Sequence, residues 1–159
     1  MLAPLVHRLA RPFAGWLLAL VPAAIFLFLV SLVDRVAHQG PISARIDWVP
    51  AYDLDLSFLV DGLSLTFALT ISGIGTLIVL YSGAYLKGHP HLGRFFGFLL
   101  AFMGAMLGLV LADNMLALFM FWELTSVTSF LLIGFDHTRQ AARRGAIQAL
   151  VITNIGGMA

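Results

Sequence analysis

Residues 115–135 read Met-Leu-Ala-Leu-Phe-Met-Phe-Trp-Glu-Leu-Thr-Ser-Val-Thr-Ser-Phe-Leu-Leu-Ile-Gly-Phe, 21 residues with a single charge, Glu123, at the ninth position. A helix crosses the hydrocarbon core of a bilayer with about 20 largely apolar residues. This stretch has that length, and it places one carboxyl near the midplane. Both the fold and the function turn on it.

Working outward, residues 13–33, 62–86, 95–112 and 145–159 are charge-free runs of 21, 25, 18 and 15 residues. The whole chain has 159 residues, 60% hydrophobic and 11% charged, whereas a soluble domain carries about a quarter charged residues. Its charges are too few to cover a water-facing surface. The absence of cysteine excludes a disulfide scaffold. The hydrophobicity excludes disorder. A net charge of +1 without a basic cluster argues against a nucleic-acid binder.

Arg8 and Arg11 before the first run suggest a signal peptide, but 21 residues exceed the ~7–15 of such an apolar region. Pro22 is tolerable in a membrane helix, where neighbouring groups satisfy the freed carbonyl. The expected fold class is all-α and transmembrane: four full spans (13–33, 62–86, 95–112, 115–135) and the start of a fifth (145–159), preceded by a tail or loop at 1–12. The apolar Met1–Val6 reads equally as the exit of an earlier helix or as a short tail. Ala159 falls inside an uncharged run below spanning length, so the expectation is a fragment.

Lys and Arg in short connections set orientation. Arg8, Arg11, Lys87, Arg94, Arg139, Arg143 and Arg144 fall on one side, against Arg35 and Arg45 on the other. The N-terminus and the 87–94 and 136–144 connections are therefore expected in the cytoplasm. The outer segment 34–61 alternates apolar Ile42, Ala44, Ile46 and Trp48 with Ser43, Arg45 and Asp47. Beyond Val49–Tyr52, apolar Leu54, Leu56, Phe58 and Val60 alternate with Asp55 and Ser57. Two period-2 stretches around a turn predict an extracytoplasmic β-hairpin. A lone hairpin is marginal in water, so it is expected to dock on helix ends or a partner.

Glu123 is the principal candidate. A charged side chain at the helix centre costs about 2.5–3.5 kcal/mol on insertion scales, and intramembrane acids mark proton or ion paths by default. Burial favours the neutral carboxyl and a nearby cation favours the charged one, the balance a proton relay needs. The bland reading is a neutral Glu that locks helix packing. On a helical wheel Ser126 is its nearest polar neighbour, one turn on. The hydroxyls of Thr125, Thr128 and Ser129 are expected to bond to preceding carbonyls or neighbouring helices. Every Lys, Arg and His lies outside the charge-free runs, so a cationic partner for Glu123 belongs to other sequence.

Weaker candidates follow. Asp113 and Asn114 read as an N-cap. Asp61, before Gly62, meets a helix dipole and also suits a cation entrance. His89 and His91 lack a third ligand in reach, so no metal site is expected. Gly104, Gly108 and Ala112, with Gly73, Gly75 and Gly83, read as close helix contacts. No nucleotide, dinucleotide, zinc-protease or nucleophile motif is present, and no cofactor is expected.

The segments Asp61-Gly-Leu-Ser-Leu, Gly104-Ala-Met-Leu-Gly, Leu111-Ala-Asp-Asn and above all Phe121-Trp-Glu-Leu-Thr-Ser-Val-Thr-Ser-Phe-Leu-Leu-Ile-Gly-Phe resemble the antiporter-like subunits shared by respiratory complex I and Mrp-type Na⁺/H⁺ antiporters. The resemblance runs from about Trp48 to the end. The Glu-Leu-Thr-Ser wording is closer to the large A subunit of the Mrp antiporter. It implies a multi-pass subunit of the cell membrane, among other subunits, exchanging internal Na⁺ for external H⁺. It also implies that Glu123 works with a lysine on a later, broken helix, which this sequence lacks. Two other readings keep the same helices: a proton-pumping subunit of complex I or a membrane-bound hydrogenase, and a purely structural subunit.

Overall fold

The computed structural model describes residues 3–49, 54–86 and 92–158. Helix α1 (Ala3–Gln39) leads into strands β1 (Ile42–Val49) and β2 (Leu54–Val60). Helices α2 (Gly62–Tyr85), α3 (Leu92–Leu111), α4 (Met115–Ile133) and α5 (Gln140–Met158) follow. Four of the described helices, Gly15–Gln39 within α1 and then α2, α3 and α4, are long and apolar enough to cross a membrane. The expected architecture is present: spanning helices, a further helix, and a small antiparallel hairpin between the first two spans.

The helices overrun the charge-free runs. α1 extends past both ends of 13–33, so Arg8, Arg11, Arg35 and His38 lie on helix rather than in connections. α3 begins at Leu92, before 95, and includes Arg94. α5 begins at Gln140, which takes Arg143 and Arg144 out of the expected 136–144 loop. Hydrocarbon ends where charges begin, but nothing stops the hydrogen-bonded backbone there, and long basic side chains reach back to water. α4 stops at Ile133, with Gly134 as its C-cap. Lys87, His89, His91 and the 50–53 turn lie outside the described residues.

Successive helices pack on one another in chain order, α1 on α2, α2 on α3, α3 on α4 and α4 on α5. Lipid supplies no hydrophobic drive between helices, so close approach depends on small residues. At the α1–α2 crossing a Cβ added to Gly15 would stand 3.0 Å from the Cα of Gly83. Two backbones meet there, with Ala19, Val79 and Phe96 forming the buried cluster beside them. Gly73 faces the Phe26 ring, Gly75 faces Met103 Sδ, and a Cβ on Gly108 would overlap the Phe121 ring. Gly104 departs from this pattern, since a Cβ there meets nothing within 4 Å.

The hairpin docks on the α3–α4 turn. Asp113 N–H donates to Ser57 O at 2.9 Å, and Phe58 forms a bridge with Ala112. The Phe58 and Phe121 rings meet edge-on at 5.9 Å. Within the hairpin, Asp47 stands opposite Asp55. Like charges in that position repel, and Arg45 Nε, 2.7 Å from Asp55 Oδ2, offsets the repulsion.

Asn114 closes the hairpin end of the bundle. Its Oδ1 accepts from Ala117 N–H at 2.7 Å as the N-cap of α4, and its Nδ2 donates to Asp55 O at 2.8 Å. Asn114→Ala removes both bonds, and the cap alone is worth about 1 kcal/mol. The expected result is a lower thermal unfolding midpoint in detergent. Asn114→Ser, which keeps a capping oxygen and loses the amide donor without adding charge, should fall between parent and Asn114→Ala.

Candidate functional site

The cap at Asn114 fixes where α4 begins, and eight residues later the helix presents Glu123. Glu123 is half-buried. Its Oε1 is shut from solvent and has no hydrogen-bond partner among the described residues. The ion pairs found among those residues, His38–Asp34 and Arg45–Asp55, lie elsewhere. An unpartnered buried acceptor costs about 1–3 kcal/mol. The face of α4 around Glu123 is open, with Phe119, Met120 and Val127 all exposed.

Ser126, the polar neighbour of Glu123 on the helical wheel, bonds to the backbone in this structure. Its side chain is buried, but its Oγ donates to Trp122 O at 3.2 Å rather than to Glu123. Thr125 and Thr128 also turn back, donating to Trp122 O at 2.6 Å and Leu124 O at 2.7 Å. A carbonyl in the preceding turn is within reach of any helical hydroxyl, and it outcompetes a side chain on the same helix.

The other wall of the site is α5, antiparallel to α4. A Cβ on Gly134 would lie 3.4 Å from Ala146 Cβ, and one on Gly157 would lie 2.7 Å from Trp122 Nε1 and 3.7 Å from Glu123 Oε1. Gly157 therefore lets α5 approach both Trp122 and the carboxyl. On one side of this seam lies a cavity of about 330 Å³, lined in part by Trp122, Thr125, Ser126, Ser129 and Thr153. Sequence reasoning missed Gly157 and also Asn154, whose Oδ1, like Glu123 Oε1, is buried without a partner among the described residues. The available signal was an amide inside the run 145–159, passed over because that run is short of a span.

Asp61 is the N-cap of α2 in a reciprocal capping box. Its Oδ1 accepts from Ser64 N–H at 2.7 Å, and Ser64 Oγ accepts from Asp61 N–H at 2.8 Å. The Ser64 backbone N–H, then its hydroxyl, hold the Asp61 carboxyl below the usual range. Asp61 borders a groove of about 310 Å³ that also touches Leu59, Phe67 and Ala112. It is far along the chain from Glu123, which is not among the described residues lining this groove. Among the described residues no cluster of three His, Asp or Glu is placed to hold a metal.

Two sequence-family models match. One, described as NADH-Ubiquinone oxidoreductase (complex I), chain 5 N-terminus, covers residues 48–96. The other, described as NADH:quinone oxidoreductase/Mrp antiporter, TM, covers residues 112–159. Na(+)/H(+) antiporter subunit A1 of Staphylococcus aureus is 43% identical over 99% of this chain and 20% of the relative. Its counterpart in strain JH9 gives the same figures. A chain in the solved Mrp complex from Dietzia sp. DQ12-45-1b superposes with a TM-score of 0.79 at 33% identity, over 99% of this chain and 17% of that one. The chain thus spans about a fifth of the length of the curated relatives it matches. It is a multi-pass cell-membrane protein, homologous to the large A subunit of Mrp antiporters and to the antiporter-like membrane subunits of complex I.

Proposed function

We propose that this chain is part of a subunit that exchanges Na⁺, or another monovalent cation, for H⁺ across the cell membrane, with Glu123 as its intramembrane proton relay. The observation that carries the reading is Glu123 Oε1, buried in the middle of α4 with no partner among the described residues. In hydrocarbon a carboxylate without a cation is costly, and a neutral carboxyl is tolerable. Arrival and departure of a cationic group at the open α4 face would load and unload a proton there. The relatives' name supports the antiport assignment. Other subunits of a multisubunit complex, and lipid, are the expected neighbours of the exposed apolar faces. Asp61, held ionised at the outer end of α2, would attract cations to that mouth. The cytoplasmic placement of the N-terminus and of the 87–94 and 136–144 connections remains the orientation favoured by the charges.

The second reading, a proton-pumping subunit of complex I or a membrane-bound hydrogenase, is favoured by the family description matched at residues 48–96. Both readings share the relay. Infrared difference spectroscopy of the assembled complex tests it: a protonated-carboxyl band that changes with pH and disappears in Glu123→Gln is the expected result. A Glu123 carboxyl that never changes protonation would instead indicate a structural subunit. Flux that depends on Na⁺ separates the antiporter from the pump.

A further inference from the structure

We propose that Asn154 is the positioning residue for the Glu123 carboxyl, an inference that rests on Glu123 being the relay. Glu123 Oε1 and Asn154 Oδ1 share one anomaly: both are shut from solvent, and neither has a hydrogen-bond partner among the described residues. They also share one seam. The Cβ position of Gly157 is 3.7 Å from Glu123 Oε1, and Asn154 lies about one turn earlier on the same helix. With Gly157 beside Trp122 and Ala146 beside Gly134, the antiparallel register sets Asn154 level with Thr125 and Ser126, within about a turn of Glu123.

The side of the seam agrees as well. At ~100° per residue Glu123 is rotated ~100° from Trp122, and Asn154 ~60° from Gly157, both in the sense of increasing residue number. Because α4 and α5 run in opposite directions, these rotations bring both side chains to the same side. By the same rotations Thr125 and Thr153, which line the cavity with Trp122, Ser126 and Ser129, fall on the other side.

A carboxyl that gains and loses a proton needs a partner able to accept from COOH and donate to COO⁻. The Ser126 hydroxyl is committed to Trp122 O. A side-chain amide has both functions, an acceptor oxygen and a donor NH₂, and rotation about its terminal torsion exchanges them. Among the described residues of the elements packed on α4, no charge is seen to pair with Glu123. The elements packed on α4 carry Arg94 on α3, Asp55 on β2 and Arg143 and Arg144 on α5. Asp55 is paired with Arg45, and the α5 arginines lie ~20 Å along the helix from Gly157.

The test uses infrared difference spectra of the assembled complex, with the Glu123 band assigned by its loss in Glu123→Gln. Asn154→Leu keeps the size and removes the amide. The band should move to the higher frequency of a carboxyl without a hydrogen bond, and cation-dependent proton flux should fall about tenfold, the weight of one hydrogen bond. Asn154→Ala removes the amide without bulk and should move the band the same way, which guards against misassembly of the leucine variant. An unmoved band in both variants overturns the positioning role and leaves the relay reading standing, even if flux falls. A parent band that never titrates overturns the relay reading and this inference with it.

Discussion

Glu123→Gln in the intact complex is expected to reduce sodium-dependent proton flux in membrane vesicles to background, a loss of at least about a hundredfold. General acid–base groups contribute about 10²–10⁴-fold where they act, and a relay through a single site has no bypass. Glutamine matches glutamate in size, so the seam of α4 with α5 and the cap at Asn114 are undisturbed. Assembly should therefore be spared, and a normal subunit complement on native gels is part of the expected result. Glu123→Asp keeps a titratable group but withdraws it by one methylene, and it should retain partial flux. Normal exchange by Glu123→Gln would remove Glu123 from the mechanism altogether.

Gly157→Val should give the second-largest effect. A Cβ at this position would lie 2.7 Å from Trp122 Nε1 and 3.2 Å from Trp122 Cδ1, so either the indole or α5 must move. Overpacking of this kind costs about 1–3 kcal/mol, and it falls on the residue adjacent to Glu123. A tenfold or larger loss of flux, with a lowered thermal midpoint, is expected. Gly156→Ala is the matched control, since a Cβ there meets nothing within 4 Å. It should behave like the parent. Equal losses in the two variants would mean that helix composition, rather than the Trp122 contact, sets the effect.

Much of this was legible from where the charges fall. Hydrophobic runs long enough to span a bilayer identified the helices at 13–33, 62–86, 95–112 and 115–135, because lipid allows few other backbone solutions. Helix ends were less legible, as Arg94, Arg143 and Arg144 show, because a charge ends the hydrocarbon and not the helix. Period-2 alternation identified the hairpin, but its dock on Ala112 and Asp113 depends on contacts distant in sequence.

The site divides in the same way. Glu123 stood out because it breaks an otherwise uncharged run. Wheel adjacency singled out Ser126 but does not show the backbone carbonyl to which its hydroxyl donates. An amide inside the run 145–159 was visible, but the place of Asn154 and Gly157 beside α4 depends on the α4–α5 register, which no local pattern encodes. The face beside Phe119 and Val127 is open in this structure, and no pattern in the sequence shows what meets it.

The tether between Asn114 Nδ2 and Asp55 O joins residues 59 positions apart, and this separation imposes an order in time. The hairpin leaves the ribosome well before the turn that receives it. At ~5–20 residues per second of synthesis, roughly 3–12 s pass before Asn114 exists to hold it. During that interval α2 and α3 must both be inserted in the right sense, or the turn emerges on the wrong face of the membrane. The seated hairpin thus records two correct insertions.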